Sequence, residues 1–345
     1  MERSTRPARA KRPATLGPDP AEADAARRPR GEGPAEAGAA QGVVRVILHG
    51  SRIDRDDVRE AVERLRSEGH HVDVRVTWEA GDAARFAREA ADTARIVVAV
   101  GGDGTVSEVA AGLAGRGGAA LGVVPLGTAN DFAASAGLPL DDVDLALDLA
   151  VSECAPVAVD LIRCNGKPFL NLATGGPGTR ITAETPQGLK RALGGLSYAV
   201  AGAVAGATKP GAFEAQRGTV RGPDFEWSGA FLALVVGNGR QAGGGVVLLP
   251  DARIDDGLLD LRLVPDGSGA GALLLESLLR GREAVLDEAS RAYRAPWVEV
   301  ETYEPLHVNL DGEPVEGTRF RFEVDPGALN IVLPAGCPLL GGRRA

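Results

Sequence analysis

The sequence predicts a protein of two structured domains, a three-layer α/β domain with a parallel sheet followed by a β-sandwich domain. Short β-branched runs alternate with helix-periodic stretches over residues 43–150. From residue 157 onward the pattern changes to closely spaced apolar strands with turn signals between them. The length of 345 residues also exceeds the ~250–300 residues at which single cores stop growing.

The first domain is predicted from two successive β-α-β steps. Strands are expected at 43–50, where the strand ends in a turn, and at 72–77 and 96–100, with helices at 54–68 and 81–91 between them. Such steps imply a parallel sheet with right-handed crossovers, and ligands of these sheets lie beyond the carboxyl ends of the strands. Thr77 ends the second strand, which puts it on the expected ligand side.

A glycine-rich turn follows the third strand. Residues 101–104 read Gly-Gly-Asp-Gly, and Thr105 is well placed to cap a helix that continues to about Leu113. A strand end, bare N–H groups and a helix start converge there, as binding of an anionic phosphate requires. The glycines alone are equally compatible with a tight turn that relieves crowding.

A second loop of the same kind is predicted at the same edge. A strand at 121–126 ends in Gly127 and Thr128, just before a helix. Thr128 or Asn130 could also cap that helix, and the two roles are compatible. A further helix at 141–150 precedes the change of pattern.

The second domain opens with apolar runs joined by the hairpin signal Asn165-Gly166. Its further strands are expected at 213–220, 225–236, 258–264, 297–300, 306–310, 320–324 and 331–333. An antiparallel sandwich fits this spacing. Helices are expected at 189–207 and 271–280, and the first is interpreted as a packed helix rather than a membrane anchor.

Composition limits the classes of partner and compartment. A net charge of −9 argues against nucleic acid as the main partner. The 3 cysteines contain no Cys-x-x-Cys pair and give no complete disulfide framework, which favours a cytoplasmic setting. Residues 1–41 are predicted to form a disordered tail. Its basic cluster could contact anionic lipid, although the acidic residues that follow favour a solvated tail.

Two acidic turns are candidates for chemistry. Residues 251–257 could form an ordinary turn or, with their carboxylates and turned-out carbonyls, hold a hard divalent cation. Asp311-Gly312 is a hairpin signal followed by Glu313. These two carboxylates could face one cleft, where one of them could accept a proton from an attacking hydroxyl.

Several of these strings carry a family resemblance. GGDGTVSEV at 101–109 resembles the nucleotide loop of the diacylglycerol kinase catalytic domain, and PLGTANDFA at 125–133 is specific to lipid kinases of that type. With further matches at 179–182, 237–245 and 309–314, the chain after residue 41 is similar to the bacterial YegS-like lipid kinases. Ser107 stands where that family usually has Asn, so the role of this side chain stays open.

The resemblance implies transfer of the ATP γ-phosphate to a hydroxyl of a membrane lipid such as diacylglycerol or phosphatidylglycerol. It implies a nucleotide-binding domain at 42–153 and a substrate and metal domain at 154–340, whose extreme C-terminus is a candidate to return to the first domain. The cofactor is Mg²⁺, with Ca²⁺ or another divalent cation as alternatives. We expect a cytoplasmic enzyme with peripheral membrane contact and no transmembrane segment.

The residues implied for ATP binding are Thr77, Gly102, Asp103, Gly104, Thr105, Val106, Ser107, Glu108 and Thr128. Glu313 is the implied proton acceptor, with Asp311 beside it as the runner-up. The metal is implied at the Asp256 side chain and the main-chain carbonyls of Arg253 and Leu258. Two alternatives remain: an NAD kinase-like enzyme, which shares the GGDGT loop, and a nucleotide sensor without transfer activity.

Overall fold

A computed structural model describes residues 42–152, 155–176, 215–267 and 290–341. The predicted tail at 1–41, the predicted helices at 189–207 and 271–280 and the matched string at 179–182 lie outside the described residues. Within the described ranges, no helix combines the length and the apolar character needed to cross a bilayer.

The first structural unit along the chain is a parallel sheet with the strand order β2-β1-β3-β4. Its strands are β1 (Val43–Leu48), β2 (Val72–Val76), β3 (Ala94–Gly101) and β4 (Ala120–Pro125). β3 is buried along almost its whole length, as expected for a central strand covered on both faces.

Helices cover both faces of this sheet. They are α1 (Asp56–Ser67), α2 (Asp82–Ala90), α3 (Asp103–Leu113), α4 (Asp131–Ala136) and α5 (Val143–Val151). Val46 and Val98 pack with α1 and α5, whereas Ile47 and Val97 pack with α2 and α3. Because successive strand residues point to opposite faces, the sheet is the middle of three layers, and the predicted α/β architecture is confirmed.

The second half is a β-sandwich, also as predicted. Its strands are β5 (Val157–Cys164), β6 (Lys167–Phe169), β7 (Leu172–Gly175), β8 (Gln216–Arg221), β9 (Glu226–Gly237), β10 (Gln241–Ala242), β11 (Val246–Val247), β12 (Leu259–Pro265), β13 (Arg291–Ala295), β14 (Trp297–Leu310) and β15 (Glu313–Ile331). Phe169, Phe231 and Phe322 lie in its core and are at most 2% exposed. β13 has no counterpart among the sequence predictions.

Two predicted breaks between strands are wrong. The runs expected at 297–300 and 306–310 form the single strand β14. β15 continues without a break from 320–324 to Ile331, which is the first residue of the run expected at 331–333. The structure places Pro305 and Pro326 at irregularities of pairing, where the register shifts between Glu301 and Leu306 and between Asp325 and Leu329. A bulge tolerates a residue that cannot donate to the ladder, so proline bends these strands instead of ending them.

The long strand β15 connects the sandwich to the α/β sheet. Ile331 pairs with Leu121 of β4 in parallel and with Val157 of β5 in antiparallel fashion. The next residue, Val332, donates its N–H to the Leu121 carbonyl at 2.9 Å. Leu339, near the end of the described chain, is also buried in the core beside α2 and α3.

The start of α3 differs from the prediction. The helix begins at Asp103, with Gly102 as its extended N-cap, so Thr105 is not the cap. Thr105 is only 6% exposed, and its Oγ1 would lie 2.5 Å from a Cβ added at Gly101. Gly101 therefore leaves the space that this buried hydroxyl fills.

A substitution at Ile331 tests how strongly the end of β15 contributes to stability. Ile331 is 0% exposed, so Ile331→Ala should lower the free energy of unfolding by about 2–5 kcal/mol in urea denaturation. The matched control is Ile53→Ala, because Ile53 is 52% exposed and its truncation should stay within about 0.5 kcal/mol of the parent. Equal losses at the two positions would contradict the buried place of Ile331.

Candidate functional site

Two glycine loops pack backbone against backbone at the carboxyl edge of the parallel sheet. A Cβ at Gly102 would lie 2.9 Å from the Gly127 Cα, and a Cβ at Gly127 would lie 2.5 Å from the Gly102 Cα. The N–H of Leu126 also donates to the Gly101 carbonyl at 2.7 Å. Neither glycine could carry a side chain without separating the loops, so the sequence brings the two predicted phosphate loops into one site.

Asp103 joins the first loop to the helix of the second. Its Oδ1 accepts a hydrogen bond from the Phe132 N–H in the first turn of α4 at 3.2 Å. Asn130, the N-cap of α4, makes no side-chain cap and instead accepts from the Gly127 N–H at 2.8 Å. Burial raises the pKa of Asp103, and the nearby negative charges of Asp131 and Asp311 raise it further. A carboxylate in this position favours an approaching cation.

Asp131 connects α4 to a loop of the sandwich. Its side chain is buried and accepts from the N–H groups of Gly244 at 3.0 Å and Gly245 at 2.9 Å. Both glycines have positive φ angles, 88° and 101°, which L-residues with side chains rarely adopt. The glycine run after β10 therefore turns its amides toward a carboxylate of the α/β layer.

Asp311 is the most heavily bonded side chain of the site. Its carboxylate accepts from the N–H groups of Leu170 at 2.8 Å, Asn171 at 3.1 Å and Leu172 at 2.9 Å. It also accepts from the Ser107 hydroxyl at 2.8 Å. Burial raises the pKa of Asp311, and these hydrogen bonds oppose the rise. Ser107, in place of the family's usual Asn, thus ties α3 to the β14–β15 hairpin.

The hairpin itself has the two-residue turn that Asp311-Gly312 predicts. β14 ends at Leu310 and β15 begins at Glu313, and the φ angles of Asp311 and Gly312 are 47° and 100°. Positive φ at both central residues matches the twist of the flanking strands. Glu313, the residue after the turn, forms an exposed ion pair with Lys167 of β6. The two candidate proton acceptors therefore have different surroundings.

The remaining predicted nucleotide residues lie around the same edge. Thr77 accepts from the Gly50 N–H at 3.1 Å, and Glu108 accepts from the Gly81 N–H at 3.1 Å. Gly104 and Thr128 are exposed, whereas Thr105 and Val106 are buried. The latter two could meet a ligand through their backbone alone.

The carboxylate of the predicted metal turn already has partners. Asp256 accepts from the Leu258 N–H at 3.1 Å and forms an ion pair with Arg294 of β13. Nε of the same guanidinium lies 3.4 Å from Oδ1 of Asp260. Burial raises the pKa of Asp260 to about 6. To coordinate a divalent ion, Asp256 would have to offer an oxygen that is already paired with Arg294. The turn as folded therefore does not fit a divalent ion.

Among the described residues, no three Asp, Glu, His or Cys side chains are grouped as a metal would need.

Sequence reasoning missed Asp131, Lys167 and Arg294. Asp131 stood inside the PLGTANDFA string, but its partners are 113 and 114 positions away. Arg294 could not be found because β13 was not predicted.

Two family models match the chain. The family model for the diacylglycerol kinase catalytic domain matches residues 44–164. The model for the YegS C-terminal NAD kinase beta sandwich-like domain matches residues 179–333. The solved structure described as "a putative diacylglycerol kinase from Bacillus anthracis str. Sterne" has a TM-score of 0.74 at 24% identity and covers 86% of this chain and 96% of that chain. That likeness concerns the fold.

Sequence relatives are closer. A Pseudomonas aeruginosa protein named "Probable lipid kinase YegS-like" is 50% identical over 299 residues, which are 86% of this chain and 96% of the relative. A protein of the same name from Xanthomonas euvesicatoria is 48% identical over 309 residues, covering 86% of this chain and 98% of the relative. Because this identity extends over almost the whole length of both relatives, the chain belongs to the YegS-like lipid kinases of the diacylglycerol kinase catalytic-domain family.

Proposed function

We propose that this lipid kinase transfers the γ-phosphate of ATP to a hydroxyl group of a membrane lipid, with magnesium accompanying the nucleotide. The observation that carries the proposal is the backbone contact of the loops at Gly102 and Gly127, beside the carboxylate of Asp103. Such loops present N–H groups and helix starts to an anion. Phosphoryl transfer depends mainly on positioning and on stabilisation of charge, which these groups supply.

The nucleotide is proposed to bind along the carboxyl edge of the parallel sheet. Its phosphates would meet the backbone of residues 102–108, and Thr77 and Thr128 would lie to either side. Magnesium would neutralise phosphate charge, and the acidic groups of this cleft that could hold it are Asp103 and Asp131. The negative charges of Asp131 and Asp311 already raise the pKa of Asp103, so a cation would relieve repulsion among these carboxylates.

The proton of the attacking hydroxyl is proposed to pass to Glu313. The carboxylate of Asp311 accepts from four donor groups, and turning it toward a substrate would leave those donors unpaired. Among the described residues, Glu313 is held by an exposed ion pair with Lys167, and such pairs contribute about 0–1 kcal/mol. Glu313 can therefore exchange its partner at little cost, whereas Asp311 holds the hairpin that presents it.

The acceptor is proposed to enter between the two layers. Two hydrogen bonds connect the α/β layer to the sandwich. Ser107 donates to Asp311, and the Gly244 N–H donates to Asp131. These contacts support an acceptor site to which both halves of the chain contribute. A lipid whose tails remain in a bilayer could offer its head-group hydroxyl there, which implies peripheral contact with the membrane.

Transfer of label identifies the acceptor class. The purified full chain is incubated with γ-labelled ATP, magnesium, and vesicles that each contain one lipid class, with NAD as a separate acceptor. We expect label in a lipid that bears a free primary hydroxyl, and no label in NAD. The Asp103→Asn variant, in which a neutral amide replaces the cleft carboxylate, should transfer at least tenfold more slowly.

Two outcomes would contradict the proposal. Label in NAD would identify the NAD kinase-like alternative. If the parent and the Asp103→Asn variant both bind ATP and neither transfers label to any lipid, the protein is a nucleotide sensor. Nucleotide binding is measured separately by calorimetry, so an inactive preparation is recognised.

Paired variants separate the two carboxylates of the hairpin. Asp311→Asn places an amide NH₂ against N–H donors, so it should lower the melting temperature as well as kcat, since each unsatisfied group costs about 1–3 kcal/mol. Glu313→Gln changes an exposed residue, so its stability should stay within about 0.5 kcal/mol while kcat falls by about 10²–10⁴-fold. Thermal denaturation and initial rates are measured on both. A Glu313→Gln enzyme with parental kcat would remove Glu313 from the reaction.

A further inference from the structure

The acidic turn before β12 is built around a guanidinium group. Asp256 forms an ion pair with NH2 of Arg294, and Nε of the same side chain lies 3.4 Å from Asp260. Asp251 lines the same surface pocket as Asp260 and Arg294. One arginine thus lies among three carboxylates.

The position of Arg294 is fixed by strand pairing. Asp260 of β12 and Arg294 of β13 are directly opposite each other in the antiparallel ladder, with Leu259 paired to Ala295 on one side. Opposite charges in such cross-strand positions attract each other. Asp256 lies in the turn that leads into β12, so the same guanidinium reaches back to it. The arginine is part of the sheet and needs no loop rearrangement to reach the carboxylates.

The shape of the turn is also held without a cation. Asp160 of β5 is only 4% exposed, and its carboxylate accepts from the Gly257 N–H at 2.7 Å and from the Gly327 N–H at 2.8 Å. Asp255 accepts from the Gly341 N–H at 2.7 Å. Hydrogen bonds to two other segments, β5 and the chain at Gly341, therefore hold the turn that a metal would otherwise organise.

We infer that Arg294 is the built-in cation of this turn and occupies the place where a divalent ion would bind the Asp256 carboxylate. A guanidinium presents several N–H donors in a planar fork, which lets one side chain serve two carboxylates. A divalent ion needs its carboxylate oxygens at about 2.0–2.6 Å and would have to expel a like charge to reach them. Arg294 and a metal therefore exclude each other at Asp256.

Binding of Mn²⁺ to the full chain, without ATP or lipid, tests this inference independently of the proposed kinase reaction. Bound Mn²⁺ is counted by electron paramagnetic resonance for the parent, Asp256→Asn, Arg294→Met and the double variant. We expect the parent and Asp256→Asn to bind equal amounts. Arg294→Met should gain one equivalent of Mn²⁺, and the added Asp256→Asn change should remove it. The melting temperature of Arg294→Met should fall without metal and recover with Mn²⁺.

Matched controls exclude a general effect of charge. Arg291→Met removes the same charge from an exposed position on the same strand and should gain no ion. Arg294→Lys keeps a positive charge and should gain none either. If Arg294→Met does not fold, the comparison of the parent with Asp256→Asn still decides. Loss of one equivalent of Mn²⁺ on Asp256→Asn in the parent background would overturn the inference.

Discussion

The candidate site depends most on the hydrogen bonds that the Asp311 carboxylate accepts. Three of its donors are consecutive backbone N–H groups, those of Leu170, Asn171 and Leu172, and the fourth is the Ser107 hydroxyl of α3. Hydrogen bonds to a charged group contribute about 1.5–3 kcal/mol each, and burial of the charge offsets part of that sum. This one side chain therefore joins the hairpin, the β6–β7 connection and the helix of the first glycine loop.

The same arrangement, a carboxylate that accepts from backbone amides of another segment, recurs elsewhere in the structure. Asp103 bonds the start of α4, Asp131 bonds the glycines after β10, and Asp160 bonds the turn before β12. At the candidate site, Asp131 and Asp311 bring negative charge close to Asp103 and raise its pKa. A cation that lowers this repulsion is therefore part of the proposed chemistry.

Much of the fold could be predicted because its signals are local. Alternating strands and helices predicted the α/β layer, glycine loops predicted its ligand edge, and Asp311-Gly312 predicted a two-residue hairpin. Errors arose where a local signal has two outcomes. Pro305 and Pro326 indicate breaks, but in this sheet they lie at bulges of continuous strands. Thr105 looks like a cap, yet β3 ends at Gly101, and with Gly102 as the N-cap the helix begins at Asp103.

The sequence named several residues of the candidate site but not the partners that the structure gives them. Ser107 and Asp311 are 204 positions apart, and no sequence period connects them.

Native-state hydrogen exchange at the amides of Leu170 and Asn171 measures the central interaction directly, since both lie between β6 and β7, outside the strand ladders. The account predicts exchange as slow as that of ladder amides in β14, because the Asp311 carboxylate holds both protons. Exchange at the rate of an open loop would contradict it.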